Sequence, residues 1–233
     1  MTNVGESVRL GWRVALVAAA VVVGAFPWTD PPSGLFGVVP VVIWCFLARS
    51  RKTGVTVGLI LLALLVWFVV PRGLGWSGPL VPSAVEVCWL YPLIAAVVCG
   101  AALPKERSVA AGVLGLVTMV LVGFFATAVV LLGQLEAKPG DEGVLPAPSG
   151  LRVAEGNGWC GSGNCSREVV ATGDHAAEVM REHLASRGFS SRAPLSNGDE
   201  RVCRETGLVF THEVCAETKN VSSDAVEVTW YVN

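Results

Sequence analysis

The sequence predicts an α-helical membrane bundle of about five transmembrane helices joined to a small extracytoplasmic α+β domain, one helix on an antiparallel sheet. Three observations predict it. Of 233 residues 52% are hydrophobic and only 15% charged, with a mean hydropathy of +0.57, whereas a soluble domain carries about a quarter charged residues. The deficit is concentrated in residues 14–135, while the last hundred or so read like an ordinary soluble protein. The charges that do interrupt the apolar runs fall mostly on alternate loops, which fixes an orientation.

The runs come in order. Residues 12–28, 34–48 and 53–71 form the first three expected spans, and residues 84–103 and 109–133 the last two. The fifth, at 1.5 Å per residue, is roughly 37 Å long and crosses a ~30 Å hydrocarbon core with tilt. The first two are short. They read either as full spans or as a re-entrant hairpin around Asp30-Pro31-Pro32-Ser33, and residues 1–25 also resemble a signal peptide with Val23-Gly24-Ala25 as its cleavage site. Lys and Arg number seven in residues 1–13, 49–52 and 104–108. They number one, Arg72, in residues 29–33 and 72–83. Basic residues mark cytoplasmic loops, so the N-terminus is expected in the cytoplasm, the protein in the plasma membrane and the C-terminus outside. Trp12, Trp28, Trp67 and Trp76 stand at or near the expected boundaries, as interfacial aromatics do.

Residues 136–150, rich in Pro, Gly and acidic side chains, read as a linker. In residues 151–233, Leu151 to Ala154 and Arg167 to Thr172 read as short strands. Ala176, Val179, Met180 and Leu184 then recur at helical spacing, with Asp174 as N-cap, Gly188 at the position after the C-cap and Phe189 folding back on Leu184. Val226, Val228, Trp230 and Val232 alternate with polar residues as a half-buried strand does, and a partner strand is expected around Glu213 to Thr218.

From Gln134 onward the chain holds nine Lys or Arg against fifteen Asp or Glu. No basic patch exists, so nucleic-acid partners are excluded. Cys45, Cys88 and Cys99 fall in the spans, where a thiol is a small apolar group. Cys160, Cys165, Cys203 and Cys215 fall in the tail, an even number in a compartment that permits disulfides. Structural disulfides are the expectation, paired locally as Cys160 with Cys165 and Cys203 with Cys215. The sharper readings are a redox site at Cys160 and Cys165, which would want a helix N-terminus to lower a thiol's pKa, and a zinc site using His212. Gly156-Asn157-Gly158-Trp159-Cys160-Gly161 spells a dinucleotide fingerprint, but a strand follows where that chemistry needs a helix, so a tight turn is expected and no nucleotide. His175, His183 and His212 belong to no hydrolase motif, and no cofactor or metal is expected.

Glu86 is the ionisable residue inside an apolar run, and intramembrane carboxylates are functional suspects by default. Its place in the first turn of the fourth span predicts a solvated helix end. Gly54-x-x-x-Gly58 and Ala96-x-x-x-Gly100 permit close helix packing.

The run Cys160-Gly161-Ser162-Gly163-Asn164-Cys165 with Arg167-Glu168, followed by one helix and a Cys-bearing hairpin, resembles the tails of uncharacterised actinobacterial multi-pass membrane proteins. The resemblance covers about the last third of the chain and implies location and disulfides, not chemistry. The functional expectation is a non-enzymatic protein embedded in the lipid bilayer, whose acidic, disulfide-stapled outer domain binds or organises an envelope protein partner. The alternatives are a transporter or channel-like component using Glu86 and a thiol–disulfide enzyme using Cys160 and Cys165.

Overall fold

A computed structural model describes residues 4–26, 31–105, 109–136, 138–161, 164–192 and 200–233. Trp28, Asp30, Glu106, Arg107, Ser162 and Gly163 lie outside the described residues. The chain forms two compact units, Met1–Gly73 with Ala84–Val129, and Leu74–Ser83 with Val130–Asn233.

Five helices precede the sheet: α1 (Val4–Gly24), α2 (Pro31–Leu47), α3 (Arg51–Gly73), α4 (Ala84–Ala102) and α5 (Val109–Glu136). Among the described residues, stretches of α3, α4 and α5 are long and apolar enough to cross a membrane, whereas the apolar parts of α1 and α2 are shorter. The first unit packs around Trp44, Leu61, Leu65, Phe68 and Tyr91, all fully buried. Two of its buried polar groups bond to backbone carbonyls. Tyr91 Oη donates to the Leu61 carbonyl at 3.2 Å and Trp44 Nε1 to that of Gly54 at 3.0 Å. Arg13 donates at 2.7 Å to the carbonyl of Ala48, just past the end of α2, where a cation also complements the helix dipole. Gly54 and Gly58 lie one helical turn apart and meet Trp12 and Leu16, one turn apart on α1. The small-residue pair therefore serves packing inside the chain. Gly100 meets nothing within 4 Å.

The second unit is a sheet of seven strands: β1 (Arg152–Glu155), β2 (Cys160–Gly161), β3 (Asn164–Thr172), β4 (Ser190–Ser191), β5 (Glu200–Thr206), β6 (His212–Ser222) and β7 (Ala225–Val232). The order is β1-β3-β7-β6-β5-β4, antiparallel throughout, with β2 also on β3. Helix α6 (Ala176–Ser186) follows β3 and carries the chain toward β4 and β5 at the far edge. Ala176, Met180 and Leu184, at helical spacing, pack with Val169 and Ala171 of β3, Val226, Val228 and Trp230 of β7, and Val214 and Ala216 of β6. That the domain is one helix on an antiparallel sheet follows from this single apolar face.

Three details differ from the sequence reading. Residues 138–150 are not a free linker. Val144 is fully buried in the core, Trp230 Nε1 donates to the Gly140 carbonyl at 2.9 Å, and Arg167 pairs with Asp141 at 2.8 Å. The N-cap of α6 is His175, left-handed at φ 52°, not Asp174. Strand β5, unforeseen, lacks the clean alternation of β7, because Glu200, Arg204 and Thr206 share its core-side face with Val202. The helix end is as expected: Gly188 has φ +84°, its N–H reaches Ala185 O, and Phe189 N–H reaches Leu184 O.

Candidate functional site

Side chains alternate across a strand, so the register sorts the sheet into two faces. One carries the core and α6. Across the other lie Glu168 of β3, Glu227, Thr229 and Tyr231 of β7, Glu213, Cys215, Glu217 and Lys219 of β6, and Arg201, Cys203 and Glu205 of β5. Most of these are half-buried, and no described helix lies on them. At the centre Cys203 and Cys215 stand directly opposite each other and are joined.

A polar network fixes the side chains around that disulfide. Arg201 lies over the Tyr231 ring at 5.6 Å and reaches Cys215 Sγ at 3.4 Å. Tyr231 Oη donates to Glu217 at 2.9 Å, and its phenol is pushed up to about 12, first by burial and then by that carboxylate. Asn233 donates to Glu213 at 2.8 Å. Glu205 and Glu213 face each other across the β5–β6 pair, a repulsive juxtaposition, and Arg192 bridges both. Glu168, Glu205, Glu213, Glu217 and Glu227 stand on this face against Arg152, Arg201, Lys219 and the bridging Arg192, so it is mildly acidic. The arrangement can present carboxylates in fixed positions to a basic ligand. Sequence reading missed it because Arg201, Glu217 and Tyr231 are far apart in the chain and meet only through the register.

Cys160 and Cys165 are joined and pair across the tip of the β2–β3 hairpin. Between the pairs Glu155–Val169 and Cys160–Cys165 the chain takes five steps on one side and four on the other, which is a β-bulge. Gly158 lies in it, where a Cβ would come within 2.9 Å of Arg167 Cα. The glycines of the fingerprint thus admit a bulge. Among the described residues no helix begins near these cysteines to stabilise a thiolate. Beside them Trp159 is 71% exposed. At the hairpin's base Arg167 ties Glu155 at 2.5 Å and covers Trp230 at 5.2 Å, and its guanidinium holds the Glu155 carboxyl below the usual range.

Among the described residues, one group has metal-ligand proximity, Cys203, Glu213 and Cys215 within 4.8 Å. With its sulfurs joined it offers one anionic ligand, and His212 is directed instead to Glu142 at 3.5 Å. The expected candidates thus lie apart, two disulfides in the sheet unit and Glu86 in the helical one.

Glu86 is not solvated. It stands in the first turn of α4, 0% exposed, with Val87 and Cys88 buried beside it, and both α2 and α3 pack against α4. Its place in the first turn of the helix was legible from the sequence; its burial was not.

Comparison of the chain with protein-family models, curated proteins and solved structures found no match.

Proposed function

We propose that the chain is a five-span plasma-membrane protein, N-terminus inside, whose extracytoplasmic domain binds a basic segment of an envelope protein on the open face of its sheet. The observation that carries this reading is the one-sided sheet: α6 covers one face, and the other holds an acidic array pinned by Cys203–Cys215 and the Arg201–Tyr231–Glu217 contacts. Rigid polar side chains lose little entropy when a partner arrives. The topology is supported by the basic loops and by the unit that Leu74–Ser83 shares with the domain. Gly78 N–H bonds Glu205 O at 2.8 Å and Gly207 N–H bonds Val81 O at 2.6 Å. The chain leaves this unit by α4 and returns by α5, as two crossings require. The resemblance to actinobacterial membrane proteins agrees with such a setting.

A photo-crosslinking residue placed at Thr229 or Lys219 in the membrane-embedded protein tests the reading, with Glu178 on α6 as control. A discrete adduct from the open face, lost in Glu217→Lys with Glu227→Lys, supports it. Equal adducts from Glu178, or none from the open face, refute it.

A second reading keeps a specific observation. A carboxylate as fully buried as Glu86 inside apolar helices is the usual mark of an ion or solute path. Glu86→Gln in a proteoliposome flux assay decides it: unchanged flux of protons and small cations removes transport through this residue.

A further inference from the structure

The register places the two ends of the sheet apart. At one end lie the joined Cys160 and Cys165, the pair Val214–Val232 with the C-terminal Asn233, and the β5–β6 turn closed by Thr206–His212. At the other lie the Ser222–Ala225 turn and the start of α6 after Thr172. Among the described residues, Leu74–Ser83 attaches at the first end. Gly78 bridges Thr206, Gly207 bonds Val81, and the left-handed Gly188 lies against Ser77, where a Cβ would come within 3.2 Å.

This end exposes large apolar side chains. Trp76 is 58% exposed, Leu80 69%, Val209 57% and Phe210 67%, in addition to Trp159 on the hairpin tip. The two segments that carry the first four, residues 74–83 and 207–211, contain no charged residue. Several large apolar side chains exposed at one end of a domain otherwise rich in carboxylates mark an interaction surface. Its tether names the occupant. Residue 74 follows directly on α3 and residue 83 directly precedes α4, two helices long and apolar enough to cross a membrane. Val81, bonded to the β5–β6 turn, is three residues from the start of α4. Those segments cannot leave the membrane boundary, and Trp and Phe at such a boundary partition into the headgroup region.

We propose that this rim of the domain docks in the headgroup layer of the bilayer, with Trp76, Leu80, Phe210 and Trp159 as its anchors. It rests on the membrane reading above but not on the open-face partner. The anchors hold the sheet by the end where the chain enters, which leaves the acidic face and the Ser222–Ala225 turn in water.

The test uses the full chain in phosphatidylethanolamine–phosphatidylglycerol vesicles, in a background of Cys45→Ala, Cys88→Ala and Cys99→Ala with the disulfides intact. An environment-sensitive fluorophore is attached at Phe210→Cys, at Val221→Cys near the opposite turn, and at Phe125→Cys on the exposed side of α5. Val209→Cys replaces Phe210→Cys if that variant misfolds. The proposal expects the label at 210 to be quenched several-fold more than that at 221 by headgroup-depth nitroxide lipid, and several-fold less by aqueous iodide. A label at 210 that behaves like 221, while 125 is quenched by deep nitroxide lipid, overturns the docking and leaves the spans intact. Shielding of 210 from both quenchers overturns it too, since a protein surface then covers the rim. Failure of lipid quenching at 125 overturns the membrane reading itself.

Discussion

Trp230 joins three parts of the sheet unit through one side chain. Its ring is fully buried against the core, its Nε1 bonds the Gly140 carbonyl, and Arg167 lies over its face while holding Asp141 and Glu155. Trp230→Ala is expected to cost about 3–5 kcal/mol, chiefly through the cavity. Trp230→Phe keeps most of the packing and frees an exposed carbonyl that water can reach, so about 1 kcal/mol is expected. Urea titration of the purified full chain, read by hydrogen exchange of the β7 amides, checks both. His183 carries a pH dependence. Burial, with Arg187 nearby, lowers its pKa, and in neutral form its Nε2 can donate to the Val144 carbonyl at 3.1 Å. A His with a depressed folded pKa binds its proton more readily when unfolded. Its contribution is therefore complete above the unfolded value of about 6.5 and is lost as pH falls from there toward the folded value. The same exchange measurement should show β7 protection weakening below that pH, and weakening less in His183→Gln.

At the scale of elements, the pieces readable in the sequence were those whose signal is local. The spacing of Ala176, Met180 and Leu184, the Gly188 ending and the alternation of β7 each sit within one short segment and needed no distant partner to be recognised. Strand β5 and the segment 138–150 were not readable, since both owe their structure to long-range contacts: β5 to pairing with β6, and residues 140–144 to Trp230, Arg167 and the core. A fragment of residues 138–233 should accordingly outlast one of 151–233 in urea by about 2 kcal/mol or more, the burial of Val144 alone being of that order. The disulfides also belong here. Chain-entropy reasoning gives about 2 kcal/mol for Cys160–Cys165, with its separation of 5, and about 3 kcal/mol for Cys203–Cys215, with its separation of 12. Replacing each pair by alanines and measuring β3 and β6 exchange checks the order. The larger loss should fall on Cys203–Cys215, which also holds the open face. Neither the Arg201–Tyr231–Glu217 network nor the burial of Glu86 had any local sequence signal; each arises where separate segments converge.

For the whole molecule, charge distribution and chain connectivity converge on one layout. Seven basic residues on one set of loops against one on the other support the proposed orientation, and the bonds of Gly78 and Val81 to the β5–β6 end join the α3–α4 loop to the C-terminal domain. On the proposed topology the acidic domain lies outside the cytoplasm, with the open face of its sheet available to the basic segment proposed as its partner. The most direct test is a dual reporter fused in turn after residues 50, 78 and 233, active as a phosphatase outside the cytoplasm and fluorescent within it. Fluorescence at 50 and phosphatase activity at 78 and 233 are expected; fluorescence without phosphatase activity at 233 would contradict the proposed topology.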